Sequence, residues 1–175
     1  MAKARSNRGT RPVVGVVMGS DSDLPAMRRC LEQLEALGIA YEVRVISAHR
    51  APATAHEYAA TAAKRGLKVI VAAAGMSAAL AGVLAAWTTL PVVGVPMAAG
   101  PLAGVDAALS TMQMPPGVPV ACMAIGSAGA ANAAIFAAQI LAVGDRALAG
   151  KLKRYRAAQA REVSRKDATV RDRRP

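Results

Sequence analysis

The sequence predicts an α/β fold: a three-layer sandwich in which a parallel five-stranded sheet, with the flavodoxin-like order 2-1-3-4-5, lies between two layers of helices. A further helix follows at the C-terminus. Two observations support this prediction. Short apolar runs alternate along the chain with segments of helical periodicity, and 175 residues provide one domain with a sizeable core.

The first cycle of this alternation shows the pattern clearly. Residues 13–17 form an apolar run that is typical of a strand covered on both faces. The segment 23–37 then has Leu and Met at helical spacings, and Gly38 follows it as a typical C′ residue. Similar cycles continue to residue 142, with crossovers expected to be right-handed. The predicted strands are 13–17, 41–46, 68–73, 92–95 and 119–124, and the predicted helices are 23–37, 52–65, 77–87, 102–112 and 129–142.

The chain divides into four segments by composition. A basic tail, 1–11, precedes an α/β catalytic domain, 12–144. The C-terminal helix, 145–165, has an apolar stripe formed by Leu148, Leu152 and Tyr155, and we expect this stripe to pack on another subunit or on its own. Residues 166–175 are charged without periodicity, which is typical of a disordered tail.

Charge and aromatic content argue against a nucleic acid partner. The net charge is +11, but the seven basic residues between 12 and 144 are balanced by seven acidic ones, so the excess lies in the terminal segments. Aromatic residues make up only 3% of the chain, so the basic tails have no accompanying platform for stacking bases. Alanine-rich helices instead favour close packing between subunits, which indicates an oligomer.

Neither a membrane span, a leader nor a metal site is predicted. The apolar stretch 118–143 contains Pro119, Gly126 and Asn132, so a strand, a turn and a buried helix explain it better than a membrane span does. The N-terminus has no apolar leader segment, and we therefore expect a cytoplasmic protein. Cys30 and Cys122 lack the spacing of metal ligands and are interpreted as ordinary thiols.

The first cluster of polar residues follows the first predicted strand. Gly19, Ser20, Ser22 and Asp23 come directly before a helix, whose free N–H groups and positive dipole end suit a phosphate. The serines would donate hydrogen bonds to phosphate oxygens, whereas Asp23 would accept them from sugar hydroxyls. A helix cap is the structural alternative, because Ser and Asp are among the best N-cap residues.

The second cluster, Ser47 to Arg50, follows the second strand. An unperturbed imidazole has a pKa of about 6.5, so His49 is able both to take and to give a proton near neutral pH. Arg50 is able to hold a phosphate or carboxylate with two hydrogen bonds, although a surface ion pair is its ordinary alternative. The only other histidine, His56, falls within the next predicted helix.

The remaining strand ends carry small residues. The loop 75–80 lets backbone approach a ligand closely, and 126–132 provides a second glycine-rich entry to a helix. The segments 96–104 and 113–117 are interpreted as loops that shape the site without chemistry of their own. Because the carboxyl ends of parallel strands lie at one edge, we expect the loops after strands one, two, three and five to converge there.

The order and wording of these motifs resemble one family. The strings MGSDSD, SAHR, GVDAALSTMQMPPGVPV and AIGSAGAANAAIFAAQIL are similar to those of the bacterial phosphoribosylaminoimidazole carboxylase catalytic subunit family, the 5-(carboxyamino)imidazole ribonucleotide mutases of purine biosynthesis. The resemblance extends from residue 13 to residue 161. It implies a homo-octamer that takes a nucleotide substrate, moves carbon dioxide from an exocyclic nitrogen to a ring carbon, and uses no metal or organic cofactor.

The resemblance also assigns roles to residues. It implies that His49 transfers the proton and that Ser20, Asp23 and Arg50 bind the nucleotide. A closed pocket must retain carbon dioxide between the two steps, and the loop 75–80 would pack against so small a molecule. The remaining expected substrate-binding residues are Gly19, Ser22, Ser47, Gly75, Met76, Ser77 and Leu80.

One position departs from the family pattern. Where the mutases read GGAAHLPG or GMAAHLAG, this chain reads GMSAALAG from Gly75 to Gly82, so Ala79 stands in place of a histidine. Related carboxylases that use free carbon dioxide also lack that histidine, but they carry lysine where this chain has Arg50. Four interpretations follow: a divergent mutase, a direct carboxylase, an engineered substitution, or a nucleotide-binding relative that is non-catalytic or altered in specificity. The pyridinium mononucleotide synthases are a further comparison, although they carry an additional N-terminal domain.

Overall fold

A computed structural model describes residues 11–172. Strands and helices alternate from Val14 to Ala142, a further helix follows directly, and a short 3-10 helix, Asp21–Asp23, precedes the first α-helix. The strands are β1 Val14–Met18, β2 Tyr41–Val45, β3 Val69–Gly75, β4 Val92–Met97 and β5 Ala121–Cys122. The helices are α1 Leu24–Leu37, α2 Pro52–Ala62, α3 Leu80–Ala86, α4 Val105–Met112, α5 Gly126–Ala142 and α6 Arg146–Asp172.

The five strands form a single parallel sheet in the order β2-β1-β3-β4-β5, which confirms the predicted topology. Val14 in β1 lies opposite Tyr41 in β2 and Val69 in β3. Every residue of β1 and of β4 is buried, as expected of strands that are covered on both faces. The carboxyl ends of all five strands therefore lie at one edge of the sheet.

Two apolar cores lie on opposite faces of this sheet. Alternate residues of the central strands, such as Val16 and Val71, pack with α1 and α5 on one face. Their neighbours, such as Val17 and Ile70, pack with α2 and α3 on the other face. α5 packs against α1 and the sheet largely through small side chains, which allow a close approach. These side chains are all fully buried: Ala130, Ala133, Ala134, Ala137 and Ala138.

Several elements differ in extent from the sequence prediction. α3 begins at Leu80 and not at 77, because a tight turn with an Ala78 N–H to Gly75 carbonyl hydrogen bond of 3.0 Å precedes it. β5 contains only two residues where 119–124 were predicted. α5 begins three residues earlier than expected, at Gly126, and α4 three residues later, at Val105.

The C-terminal helix is longer than predicted. The sequence suggested an end at 165 and disorder over 166–175, whereas α6 continues to Asp172. Ion pairs within one turn support this extension, since Glu162 contacts Arg165 at 2.7 Å and Lys166 at 3.5 Å. Residues 173–175, and 1–10 of the predicted basic tail, lie outside the described residues.

Candidate active site

A cleft of about 490 Å³ opens at the carboxyl edge of the sheet. The loops after β1 and β2 supply its polar side chains, and we call residues 19–23 and 47–50 together the polar wall. The loop after β3 supplies mainly small side chains, and we call residues 74–80 with Ala99 the apolar wall. All predicted site residues line this one cleft: Gly19, Ser20, Ser22, Asp23, Ser47, His49, Arg50, Gly75, Met76, Ser77 and Leu80.

The loop after β1 is organised by a capping box. The Ser20 hydroxyl accepts a hydrogen bond from the Ser22 N–H at 3.3 Å, and the Asp23 carboxylate accepts one from the Ser20 N–H at 3.2 Å. The Gly19 N–H donates to the Ala73 carbonyl at 2.9 Å, which fixes the loop to β3. Ser20 therefore caps the short helix, as the structural alternative held, and the same residue also lines the cleft.

Asp23 is the one buried carboxylate of the cleft, with 8% of its surface exposed. Burial raises the pKa of Asp23, because the charged form loses hydration. The hydrogen bond from the Ser20 N–H opposes this rise in pKa, and the charge of Asp21 adds to it. A partly desolvated acceptor of this kind is suited to receive hydroxyl hydrogen bonds from a bound sugar.

The loop after β2 orients Arg50 through Ser47. The Ser47 hydroxyl accepts hydrogen bonds from the Arg50 N–H at 3.2 Å and from its Nε at 3.3 Å. Within residues 11–172 no carboxylate pairs with Arg50, so the surface ion pair considered from the sequence is not formed there. Arg50 lines the cleft, and its guanidinium is a group that is able to bind an anion there.

His49 lies between Ala48 and Arg50 on the same loop and is exposed to the cleft. The other histidine, His56, lies in α2 outside the cleft, where its ring centroid is 3.9 Å from that of Trp87. The cleft thus contains one imidazole. Among residues 11–172 no group of three or more potential metal ligands occurs.

The apolar wall is formed by backbone and small side chains. Met76 and Ala78 adopt positive φ angles of 54° and 36°, a conformation that disfavours residues other than glycine. A Cβ atom at Gly75 would lie 2.7 Å from the Cβ of Ala99, so only glycine fits at that contact. Ala79 precedes α3 in a helical conformation, and its side chain makes no capping hydrogen bond.

Several lining residues carried no signal in the sequence. Ala48, Ala74, Ala78 and Ala99 face the cleft, yet an alanine has no functional group that a motif analysis is able to recognise. Ala99 also lies in the loop after β4, which was expected to shape the site, and this position agrees with that expectation. Ala79, singled out as the departure from the family pattern, lines the same wall.

The glycine-rich entry to α5 lies next to the cleft. Gly126 and Ser127 line an adjoining cavity of about 590 Å³, which shares Ser22, Asp23 and Ala99 with the cleft. The loop after β5 thus converges on the same edge of the sheet, as predicted, but borders a separate cavity. No helix in the described part of the chain has the length and apolar character that a membrane crossing requires.

Together the two walls combine three chemical capacities. Arg50, Ser20 and Ser22 carry hydrogen-bond donors for an anionic group, Asp23 carries an acceptor, and His49 carries an imidazole that is able to give or take a proton. The apolar wall adds a surface that suits a small uncharged molecule. This arrangement fits a phosphorylated substrate whose reacting part lies between His49 and the apolar wall.

Comparisons with known proteins give a consistent result. A family model described as AIR carboxylase matches residues 13–162. The chain is 49% identical over 150 residues to the N5-carboxyaminoimidazole ribonucleotide mutase of Vibrio vulnificus, covering 86% of this chain and 93% of that protein. It is 52% identical over 146 residues to the protein of the same name in Bacillus subtilis, covering 83% and 90%.

Solved structures show the same similarity. A PurE2 variant of Treponema denticola superposes with a TM-score of 0.82 and 26% identity, covering 92% of this chain and 99% of that one. PurE of Treponema denticola gives a TM-score of 0.78 and 29% identity, covering 91% and 99%. The match of the family model to residues 13–162 includes all five strands, helices α1 to α5 and the first part of α6.

Proposed function

Because this chain belongs to the AIR carboxylase family, we propose that it converts N5-carboxyaminoimidazole ribonucleotide to 4-carboxy-5-aminoimidazole ribonucleotide in purine biosynthesis. Relatives about half identical to it over more than four fifths of its length carry the name of that mutase. The structural observation that supports the proposal is that His49, the one imidazole among the residues lining the cleft, shares that cleft with Ser20, Asp23 and Arg50 of the polar wall and with the apolar wall.

Binding of the nucleotide uses the polar wall. Arg50, oriented by Ser47, donates charge-assisted hydrogen bonds to the phosphate, and the hydroxyls of Ser20 and Ser22 donate to its remaining oxygens. Asp23 accepts hydrogen bonds from the ribose hydroxyls. These contacts place the imidazole ring of the substrate beside His49.

The reaction then proceeds by two proton transfers through His49. Protonated His49 gives its proton to the carbamate nitrogen, the bond from that nitrogen to the carboxyl carbon breaks, and carbon dioxide is released beside the amine. The electron-rich ring carbon attacks carbon dioxide and forms the new carbon–carbon bond. Neutral His49 then removes the proton from that ring carbon, which restores the aromatic ring and regenerates the acid.

The apolar wall retains carbon dioxide between these two steps. Carbon dioxide is small and uncharged, and it has no group that a strong hydrogen bond would hold. The alanine and glycine residues of the loop 74–80 let its backbone approach the reacting atoms closely, so the retention of carbon dioxide depends on the shape of the apolar wall. The proposed reaction redistributes the atoms of one substrate and requires neither an oxidant nor a reductant.

We further propose that the protein acts as a homo-octamer in the cytoplasm. α4 and the loop before it expose an apolar stripe in which every member has more than half of its surface accessible: Leu102 at 59%, Val105 at 55%, Leu109 at 51% and Met112 at 53%. Such a stripe is typical of an interaction surface, and a second copy of the chain is the partner we propose. Light scattering coupled to gel filtration would give the mass of the assembly directly.

The proposed activity is tested by supplying the carbamate nucleotide at neutral pH and following the ring-carboxylated product. We expect conversion well above the uncatalysed rate, and a rate equal to the uncatalysed one would contradict the proposal. A parallel reaction with the uncarboxylated aminoimidazole ribonucleotide and dissolved carbon dioxide separates the mutase from a direct carboxylase. Tight binding of the nucleotide without turnover would indicate a non-catalytic relative.

A further inference from the structure

The apolar wall is held in a conformation that its sequence disfavours. Met76 and Ala78 both have positive φ angles, and two such residues lie within one four-residue turn closed by the Ala78 N–H to Gly75 carbonyl hydrogen bond. Turns with a positive φ at their second position favour glycine, asparagine or aspartate there, whereas this chain has methionine. Contacts outside the turn must therefore help to maintain it.

One of those contacts is a hydrogen bond from α4. The Ser110 hydroxyl donates to the Ser77 carbonyl at 2.5 Å, across 33 positions of sequence. Serine and threonine within helices commonly donate to a carbonyl one turn earlier in their own helix. The adjacent Thr111 does so, donating to the Ala107 carbonyl at 2.7 Å, whereas Ser110 donates to the cleft loop instead.

The second contact comes from the segment that leads into α4. The Cβ of Ala99 lies against Gly75, and the Met76 side chain extends over Gly100, where its Cγ would be 3.5 Å from an added Cβ. Both are van der Waals contacts, which do not fix the orientation of a backbone group. The hydrogen bond from Ser110 is therefore the directional polar tie, within the described residues, between α4 and the loop from Gly75 to Leu80.

We propose that Ser110 is a positioning residue, which holds the loop 75–80 in the conformation that retains carbon dioxide. The inference deepens the proposed function and rests on it. Ser110 makes no hydrogen bond with His49 or with the polar wall in the described part of the chain, and it acts through the backbone carbonyl of Ser77. Loss of its hydroxyl leaves proton transfer intact but lets the turn relax, so that carbon dioxide leaves the cleft before the ring carbon captures it.

The variant Ser110→Ala tests this role with little cost to folding. Position 110 is exposed, and alanine is the best helix former, so α4 is expected to persist. Ser110→Thr keeps a hydroxyl at the same place and serves as the conservative rescue. Ser164→Ala is the matched control, because the Ser164 hydroxyl also donates to a carbonyl from an exposed helix position, that of Ala160, but far from the cleft in α6.

The first measurement does not depend on catalysis. Hydrogen exchange of the Ala78 backbone amide, whose hydrogen bond to the Gly75 carbonyl closes the turn, is followed in the wild type and in the three variants. Loss of one hydrogen bond is expected to speed exchange in Ser110→Ala about three- to tenfold, with Ser110→Thr and Ser164→Ala close to the wild type. Unchanged exchange in Ser110→Ala would overturn the positioning role.

The second measurement follows the fate of carbon dioxide. With the carbamate nucleotide as substrate, the ratio of uncarboxylated aminoimidazole ribonucleotide to ring-carboxylated product is determined at early times. Ser110→Ala is expected to raise this ratio about three- to tenfold while KM changes less than about twofold, since one hydrogen bond is lost outside the polar wall.

The outcomes separate the two proposals. A ratio equal to that of the wild type in Ser110→Ala, or the same rise in Ser164→Ala, would overturn the role of Ser110 in retention. Absence of turnover in the wild type would refute the proposed function and with it the retention step. In that case the exchange experiment still decides whether Ser110 positions the loop.

Discussion

The two walls of the cleft are built in opposite ways. The polar wall consists of side chains that are fixed by local hydrogen bonds, such as those that the hydroxyls of Ser20 and Ser47 accept. The apolar wall consists mainly of backbone and small side chains, and the conformation of its loop 74–80 is supported by two residues from a later part of the chain, Ala99 and Ser110. The polar wall thus supplies chemical groups, whereas the apolar wall supplies shape. Substitutions in the two walls should therefore fail in different ways.

The largest effect is expected from removal of the imidazole in the polar wall. His49→Asn should lower kcat by about two to four orders of magnitude, the usual contribution of a general acid–base residue. The affinity for a non-reacting substrate analogue should stay close to that of the wild type. Steady-state kinetics and calorimetry give the two quantities.

His56→Asn is the control for this variant, because His56 contacts Trp87 outside the cleft. It should retain wild-type kcat. A parallel loss of analogue affinity in His49→Asn would mean that His49 is mainly a binding residue. That result would contradict the role assigned to the polar wall.

A smaller effect is expected at Arg50, the proposed anion-binding residue. Arg50→Ala removes charge-assisted hydrogen bonds that are typically worth about 1.5 to 3 kcal/mol, so nucleotide affinity should fall by about ten- to hundredfold. Titration with the nucleotide at several salt concentrations measures this loss. Arg29→Ala, which removes an exposed arginine paired with Glu32, should leave the affinity unchanged.

The apolar wall is probed by Ala79→His, which adds an imidazole where the family pattern has one. Ala79 has a helical conformation with φ −68°, so a larger side chain is sterically compatible with the backbone. In the proposed mechanism His49 performs both proton transfers, so we expect kcat to change less than about tenfold. A gain of a hundredfold or more would show that the apolar wall also needs a chemical group, and the contrast between the two walls would fail.

The smallest effect concerns stability and pH. Burial raises the pKa of Asp23, so the folded protein binds this proton more tightly than the unfolded chain does. Stability contributed by the protonated form is therefore lost as pH rises from about 4, the unfolded value, through the folded pKa. Asn at this position stays neutral and is still able to accept a hydrogen bond from the Ser20 N–H.

Urea unfolding of the wild type and of Asp23→Asn at pH 4 and pH 7 measures the difference. As pH rises from 4 to 7, the free energy of unfolding of Asp23→Asn should increase relative to that of the wild type. The opposite trend would mean that the hydrogen bond from the Ser20 N–H outweighs burial. In that case the polar wall would carry its carboxylate without an energetic penalty.

The same contrast explains what the sequence reveals. Serine, aspartate, histidine and arginine at strand ends have recognisable chemistry, and the strand ends of a parallel sheet share one edge, so the polar wall was predictable together with the sheet order. The resemblance to a family added the identity of the reaction. It also drew attention to Ala79, which no composition or periodicity would have indicated.

Other features depend on tertiary contacts and were not predictable. Ser77 was expected to begin a helix, because its neighbours are good helix formers, but the turn at Met76 and Ala78 delays α3 to Leu80. The hydrogen bond from Ser110 joins segments that no local pattern connects. Residues 166–172 were expected to be disordered from their charge, yet pairs such as Arg171 with Asp167 accompany a continuous helix there.

The length of α6 has a mechanical consequence. A helix of 27 residues rising about 1.5 Å per residue extends about 40 Å, yet its one buried residue, Leu148, lies at its beginning. The Asp145 carboxylate fixes this beginning by accepting hydrogen bonds from the Ala147 and Leu148 N–H groups. Leu152 and Tyr155 also pack on the core, so the part of the helix beyond Tyr155, which is mostly exposed, extends about 25 Å. A tilt of a few degrees near Tyr155 would displace the far end of this part by about 2 Å.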